Sequence, residues 1–85
     1  MSESQMILQQ LSEATGVSGD EQDVRSVVLN AIRACVDDLR IDSIGNILAV
    51  KRGKDENGVR VMVSAHMDEV GFMVVGHNGD GFLKF

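Results

Sequence analysis

Proline, tryptophan and tyrosine are absent from this 85-residue chain, and phenylalanine occurs only three times. A core must therefore come from Val, Ile, Leu and Met, and in so short a chain that core is thin. A single cysteine, Cys35, excludes an internal disulfide and makes a cytoplasmic setting the default expectation. Bases are scarce as well: 8 against 13 acids leaves a net charge of −5, with no basic cluster. A phosphate backbone would be repelled, so nucleic acid is not an expected partner. No apolar run approaches the length of a membrane span, and the polar opening MSESQ is unlike a signal peptide, so no membrane partner is expected. Repeats, low-complexity tracts and flexible linkers are missing too. What remains, 44% apolar and 25% charged residues, is the composition of a soluble globular protein: one small domain or a piece of a larger one.

Ile7, Leu8, Leu11 and Ala14 recur at three- and four-residue steps and predict a helix from about Ser4 to Thr15, stopped by Gly16. Ser18, with Glu21 three residues on, has the spacing of a capping box, and Asp20 and Glu21 add negative charge at the positive end of the dipole. A second helix is predicted from there to about Asp37, with Val24, Val27, Val28, Ala31, Ile32 and Cys35 on one face. Cys35 reads as a small core residue of that face.

After Asp38 the pattern changes to strands. Ile41 to Arg52 reads as one strand, interrupted at Gly45-Asn46 by a bulge or tight bend. KDENG ends in Asn57-Gly58, a reversal signal. Val59 to Ala65 and Val70 to Val75 read as further strands, the first one buried on both faces and packed through Val61 and Val63 against the second helix. GHNGDG is a second turn, and FLKF opens another strand just where the chain stops. Phe82 and Phe85 then need a partner surface, so the sequence is expected to be cut short.

One apolar run carries the chemistry. VSAHMDEVGFMVV, residues 63–75, is interrupted by His66, Asp68 and Glu69. With the two-residue period of a strand, His66 and Asp68 project from one side and Glu69 from the other. A histidine bound to zinc usually donates its second ring N–H to a carboxylate, and His-x-Asp at a strand end can supply that pair. The same spacing also suits a histidine that merely satisfies its hydrogen bonds beside an acid. Spacing alone leaves both readings open.

The longer string SAHMDEVGFMV resembles the signature of metallopeptidase family forty-two, the dinuclear-metal aminopeptidases. These include tetrahedral, glutamyl and deblocking aminopeptidases, and some members are labelled endoglucanases. TGVSGDE, DSIGNILAVKRG and GDGFLKF also look like this family, in the same order, so the resemblance spans essentially the whole chain. It implies an α/β fold: the N-terminal part of an aminopeptidase-type catalytic domain, two helices then β-strands, leading into an inserted β-rich dimerisation domain. Residues 1–69 would begin the catalytic domain and residues 70–85 would enter the inserted one.

The resemblance further implies a cytoplasmic exopeptidase that takes residues from the N-terminus of peptide substrates, with two divalent metal ions, zinc or cobalt, activating a bridging water. The whole protein would be a dimer-based homo-oligomer that can reach a dodecamer. His66 matches the family's first metal ligand and Asp68 the aspartate that orients it. Glu69 belongs to the signature without an assigned catalytic role and is expected in a salt bridge or turn contact. His77, outside the motif, reads as a solvated loop residue. The remaining ligands and the general base match nothing in these 85 residues, so the isolated chain is expected neither to bind zinc tightly nor to cleave peptides. Two rival readings stand beside this one. A non-catalytic assembly or binding module could retain only this third of the fold. A glycosidase, suggested by the endoglucanase label, would need two carboxylates flanking a bond, which the adjacent Asp68-Glu69 pair cannot supply.

Overall fold

Ser2 opens the first helix with a complete capping box. Its hydroxyl accepts the Gln5 N–H at 3.2 Å, while the Gln5 side chain accepts the Ser2 N–H at 2.8 Å. In the computed structural model, which describes residues 1–85, this helix α1 spans Glu3–Glu13. It ends at Ala14, which turns extended. Gly16 therefore does not terminate it. That glycine has no left-handed backbone and is instead one of the two buried residues of the chain.

Helix α2 spans Gln22–Ile32 and tightens into a 3-10 turn over Arg33–Cys35. The expected Ser18–Glu21 capping box does not form. Ser18 is taken into a turn closed by the Asp20 N–H on Val17 O, with Gly19 at φ 88°. Glu21 becomes the N-cap residue, and its carboxylate accepts the Gly19 N–H at 2.8 Å. Of the predicted apolar face, Val24 is buried and Val27, Val28 and Ile32 are half-buried, whereas Ala31, still within α2, and Cys35, at the end of the 3-10 turn, are exposed.

The strand expected over 41–52 is in fact an antiparallel hairpin. β1, Asp38–Ile41, pairs with β2, Ile47–Val50, in the register Asp38↔Val50 to Ile41↔Ile47. The bend at Gly45-Asn46 is its turn, and Asp42 builds it. One Asp42 carboxylate oxygen accepts the N–H of Ile44 at 3.1 Å and of Asn46 at 2.8 Å, and the other accepts the Asn46 side-chain amide at 2.8 Å. Gly45, at φ 92°, completes the loop. Arg25 holds this turn to α2: its Nε donates to Gly45 O at 2.8 Å and its guanidinium lies over Gly45.

These hydrogen bonds, led by the one from the Asn46 side chain, hold the Asp42 carboxyl below the usual aspartate range. A folded-state pKa lower than the unfolded one stabilises above the unfolded value, and the stabilisation is lost as pH falls through the folded one. We expect the hairpin to keep its turn through the pH range in which an ordinary aspartate protonates and to lose it only below that range, where the Asp42 carboxylate itself takes up its proton. NMR titration of the Ile44 and Asn46 amides checks this, and Asp42→Asn should flatten the response.

Past the hairpin the expected strands are missing. Residues 59–68 make no backbone–backbone hydrogen bond, and neither do residues 70–74. Val61 and Val63 stand away from α2 and are exposed, so the predicted packing of that helix on them does not occur. The physical reason is that a strand needs a neighbour, and nothing in the 85 residues is placed to pair with these runs. The last element is a short hairpin of β3, Gly76–His77, and β4, Leu83–Lys84. Asn78 anchors its turn by accepting the N–H groups of Asp80 and Phe82, each at 3.0 Å. Phe85 meets Phe72 with ring centroids 4.4 Å apart.

The sum is a mixed α and β segment rather than a closed core. Its radius of gyration is 17.5 Å, against about 12 Å for a compact domain of this length. Val24 is the one buried apolar side chain.

Candidate functional site

The run from Val59 meets the helices at Glu69. There the Glu69 N–H donates to Gly16 O at 2.7 Å, in a parallel bridge between Val17 and Glu69. Two glycines make this approach possible. A β-carbon on Gly16 would lie 3.2 Å from Val24 Cγ1 and 3.5 Å from Met67 O, and one on Gly71 would overlap Val17 Cγ1. The link between α1 and α2 thus grips the segment 67–71, and His66 sits one residue before the grip.

His66 Nδ1 lies 3.1 Å from Asp68 Oδ1 and 2.9 Å from Asp68 O. A carbonyl and an ionised carboxylate both accept and neither donates, so Nδ1 carries the proton. In the neutral ring this leaves the Nε2 lone pair free, the tautomer a metal ligand needs. The His66 side chain is 85% exposed and that of Asp68 42%, so the ring is open to a ligand while its orienting partner is half-covered.

The structure brings His66 and Asp68 together and leaves the other candidates apart. Glu69 forms neither the expected salt bridge nor a turn contact; it contributes its backbone to the bridge with Gly16. His77 lies on β3 rather than in the turn, is exposed, and has Nδ1 3.3 Å from Asn78 O. No third His, Cys, Asp or Glu side chain joins the pair in a cluster able to enclose a metal ion. Sequence reasoning missed the grip of Gly16 and Gly71, for which a glycine inside an apolar run was the available signal. It also missed the second acceptor on Nδ1, the Asp68 carbonyl, which no side-chain pattern reveals.

His66, Met67 and Glu69 line one end of a cleft of about 930 Å³ that runs between α2, β2 and residues 61–65. Its walls are mostly apolar. No helix of the chain is long and apolar enough to cross a membrane.

Comparison with known proteins gives this geometry a context. Residues 45–85 match the family described as M42 glutamyl aminopeptidase. A protein of Acetivibrio thermocellus with a provisional aminopeptidase name is 43% identical over 79 residues, covering 93% of this chain and 23% of that protein. FrvX of Escherichia coli K12, likewise provisionally named an aminopeptidase, is 48% identical over 93% of this chain and 21% of its own length. The lysyl aminopeptidase of Pyrococcus furiosus is 35% identical over 92% of this chain and 22% of its own. The chain spans about a fifth of the length of the curated relatives it matches. A family match that takes in the His66–Asp68 pair, and relatives aligned over nearly all 85 residues, point one way: the chain is similar along its length to proteins of the M42 peptidase family.

Proposed function

We propose that this chain is a segment of a metal-dependent aminopeptidase, a hydrolase that removes residues from the N-terminus of peptides. In it, His66 is a ligand of one of two divalent metal ions, zinc or cobalt, and Asp68 orients that ligand. The observation that carries the reading is the His66 ring, with Nδ1 bound to two Asp68 acceptors and Nε2 free on an exposed face. An imidazole nitrogen suits zinc or cobalt. A zinc site takes three or four protein ligands, so the donors present here fit one corner of such a centre, and the others come from outside these 85 residues.

When bound, the metal pair supplies Lewis-acid polarisation of the scissile carbonyl and an acidified water. The residues of this chain hold and aim. Asp68 keeps the proton on Nδ1, which fixes the ring and raises the basicity of Nε2. The Gly16–Glu69 bridge holds the pair against the helices.

Residues 1–69 form the start of the catalytic α/β domain, and residues 70–85 enter an inserted β-rich dimerisation domain. The boundary is supported by the pattern of contacts: the chain touches the helix link through Gly71, and from Phe72 on it folds on itself through Phe72–Phe85 and β3–β4. The whole protein is a dimer-based homo-oligomer acting on peptides in the cytoplasm.

The test is an assay of a full-length protein carrying this segment on unblocked peptides. Stepwise release of N-terminal residues, stopped by a chelator and restored by zinc or cobalt, is expected. The isolated 85-residue chain should show no turnover in the same assay. Hydrolysis by the full-length protein that a chelator leaves undiminished would overturn the reading.

A further inference from the structure

Two Asn-Gly pairs occur in the chain, Asn57-Gly58 and Asn78-Gly79, and neither has a part in the His66–Asp68 site. Asparagine is a chemically labile residue. It is most so before glycine, where the missing β-carbon lets the next backbone nitrogen approach the asparagine Cγ. The reaction requires a side chain free to turn toward that nitrogen. The two pairs differ in this respect.

Asn57 is free to turn. It is exposed, and its side-chain amide makes no hydrogen bond. Its backbone N–H donates to Asp55 Oδ1 at 3.0 Å, which leaves Cβ and Cγ unconstrained. The Gly58 N–H donates to Asp55 O at 3.1 Å, a single bond in an exposed turn of the kind that opens locally. Lys54, Asp55, Glu56 and Arg60 flank the pair and are all exposed, so this is a solvated, charged loop and not an apolar surface awaiting cover.

Asn78 is pinned. Its Oδ1 accepts the N–H groups of Asp80 and Phe82, each at 3.0 Å. Its own N–H donates to Phe82 O at 2.9 Å, and its carbonyl accepts the Gly81 N–H at 3.3 Å. Turning Cγ toward the Gly79 nitrogen breaks both side-chain bonds, against the one bond that Gly58 must release. One more hydrogen bond of ordinary net strength slows such a step by about fivefold. The backbone bonds of Asn78 widen the gap.

We infer that Asn57 is a site of spontaneous deamidation, and that the folded chain spares Asn78. The Gly58 nitrogen gives its proton to solvent and attacks Asn57 Cγ. The new N–Cγ bond closes a five-membered succinimide as the Cγ–Nδ2 bond breaks, and Nδ2 leaves with a proton as ammonia. Water then opens the ring at either carbonyl, giving aspartate or isoaspartate. No electrons are transferred; the net change is amide plus water to acid plus ammonia. Either product adds a negative charge to a chain already at −5. Isoaspartate also inserts a methylene into the main chain between β2 and the run that carries His66. None of this depends on the enzymatic reading.

The experiment is peptide mapping by mass spectrometry of a full-length protein carrying this segment, aged in mildly alkaline buffer, native and in guanidinium chloride. In the native protein Asn57 should convert at least about fivefold faster than Asn78. Its product should include isoaspartate, detected by an isoaspartate-specific methyltransferase. In denaturant the two rates should converge, because the bonds that pin Asn78 are gone. Gly58→Ala should slow conversion of Asn57 by about tenfold or more, since its β-carbon would also crowd Asp55 O at 3.1 Å. An Asn57 that keeps its amide, equal rates in the native protein, a difference undiminished by denaturant, or a rate untouched by Gly58→Ala would each overturn the inference.

Discussion

His66→Ala in a full-length aminopeptidase carrying this segment should reduce peptide hydrolysis to near background. The ring is 85% exposed, with Nδ1 held by the Asp68 carboxylate and carbonyl and Nε2 left without a partner in the chain. Zinc centres of catalytic type hold their metal with about three protein ligands. Removing one therefore costs a large share of the affinity and of the geometry on which the activated water depends. The substitution should do little else. The His66 side chain is 85% exposed, and its hydrogen bonds in this chain are to Asp68. The apoprotein should melt at the same temperature with or without it, while the metal-loaded proteins separate, because binding to the native state alone adds stability. Full activity after His66→Ala would remove the ligand role.

Asp68→Asn should be milder, and the structure says why. Second partners of metal-bound histidines are usually worth about 10–100-fold in affinity or activity. Here the Asp68 backbone carbonyl also accepts from Nδ1, at 2.9 Å, and survives any substitution of the side chain. The ring keeps its tautomer and most of its aim, and loses the negative charge that raises the basicity of Nε2. The expected loss is about tenfold, the lower end of that range. Competition against a chromophoric chelator measures it directly. Metal affinity unchanged within experimental error would mean that the carboxylate orients nothing. A loss as deep as that of His66→Ala would mean that Asp68 is itself a ligand.

Sequence carried the helices and the His66–Asp68 pair, and it failed wherever a contact between distant residues decided the outcome. Apolar steps of three and four locate α1 and α2 because a helix is closed by bonds within itself. A strand is not so closed. Val59–Ala65 has the composition of one and remains unpaired, since no sequence pattern supplies the neighbour that must accept its hydrogen bonds. Gly16 looked like a helix stop and is a buried contact beneath Val24, a difference fixed by which residue lies above it. Ser18 and Glu21 had capping-box spacing, but Ser2 and Gln5 had it too, and only the latter pair forms the box. The Asp42 turn was readable in part: Gly45-Asn46 marked the bend, while the Asp42 carboxylate that closes it turned one expected strand into two. The His-x-Asp geometry was legible because it is local, with both side chains within three residues of one run.

Metal content per subunit tests the ligand assignment most directly. A full-length protein carrying this segment should hold two divalent ions after dialysis, and the His66→Ala variant should hold one, with the apoproteins equally folded. A His66→Ala protein that retains both metal ions would show that the imidazole Asp68 orients is not part of the centre.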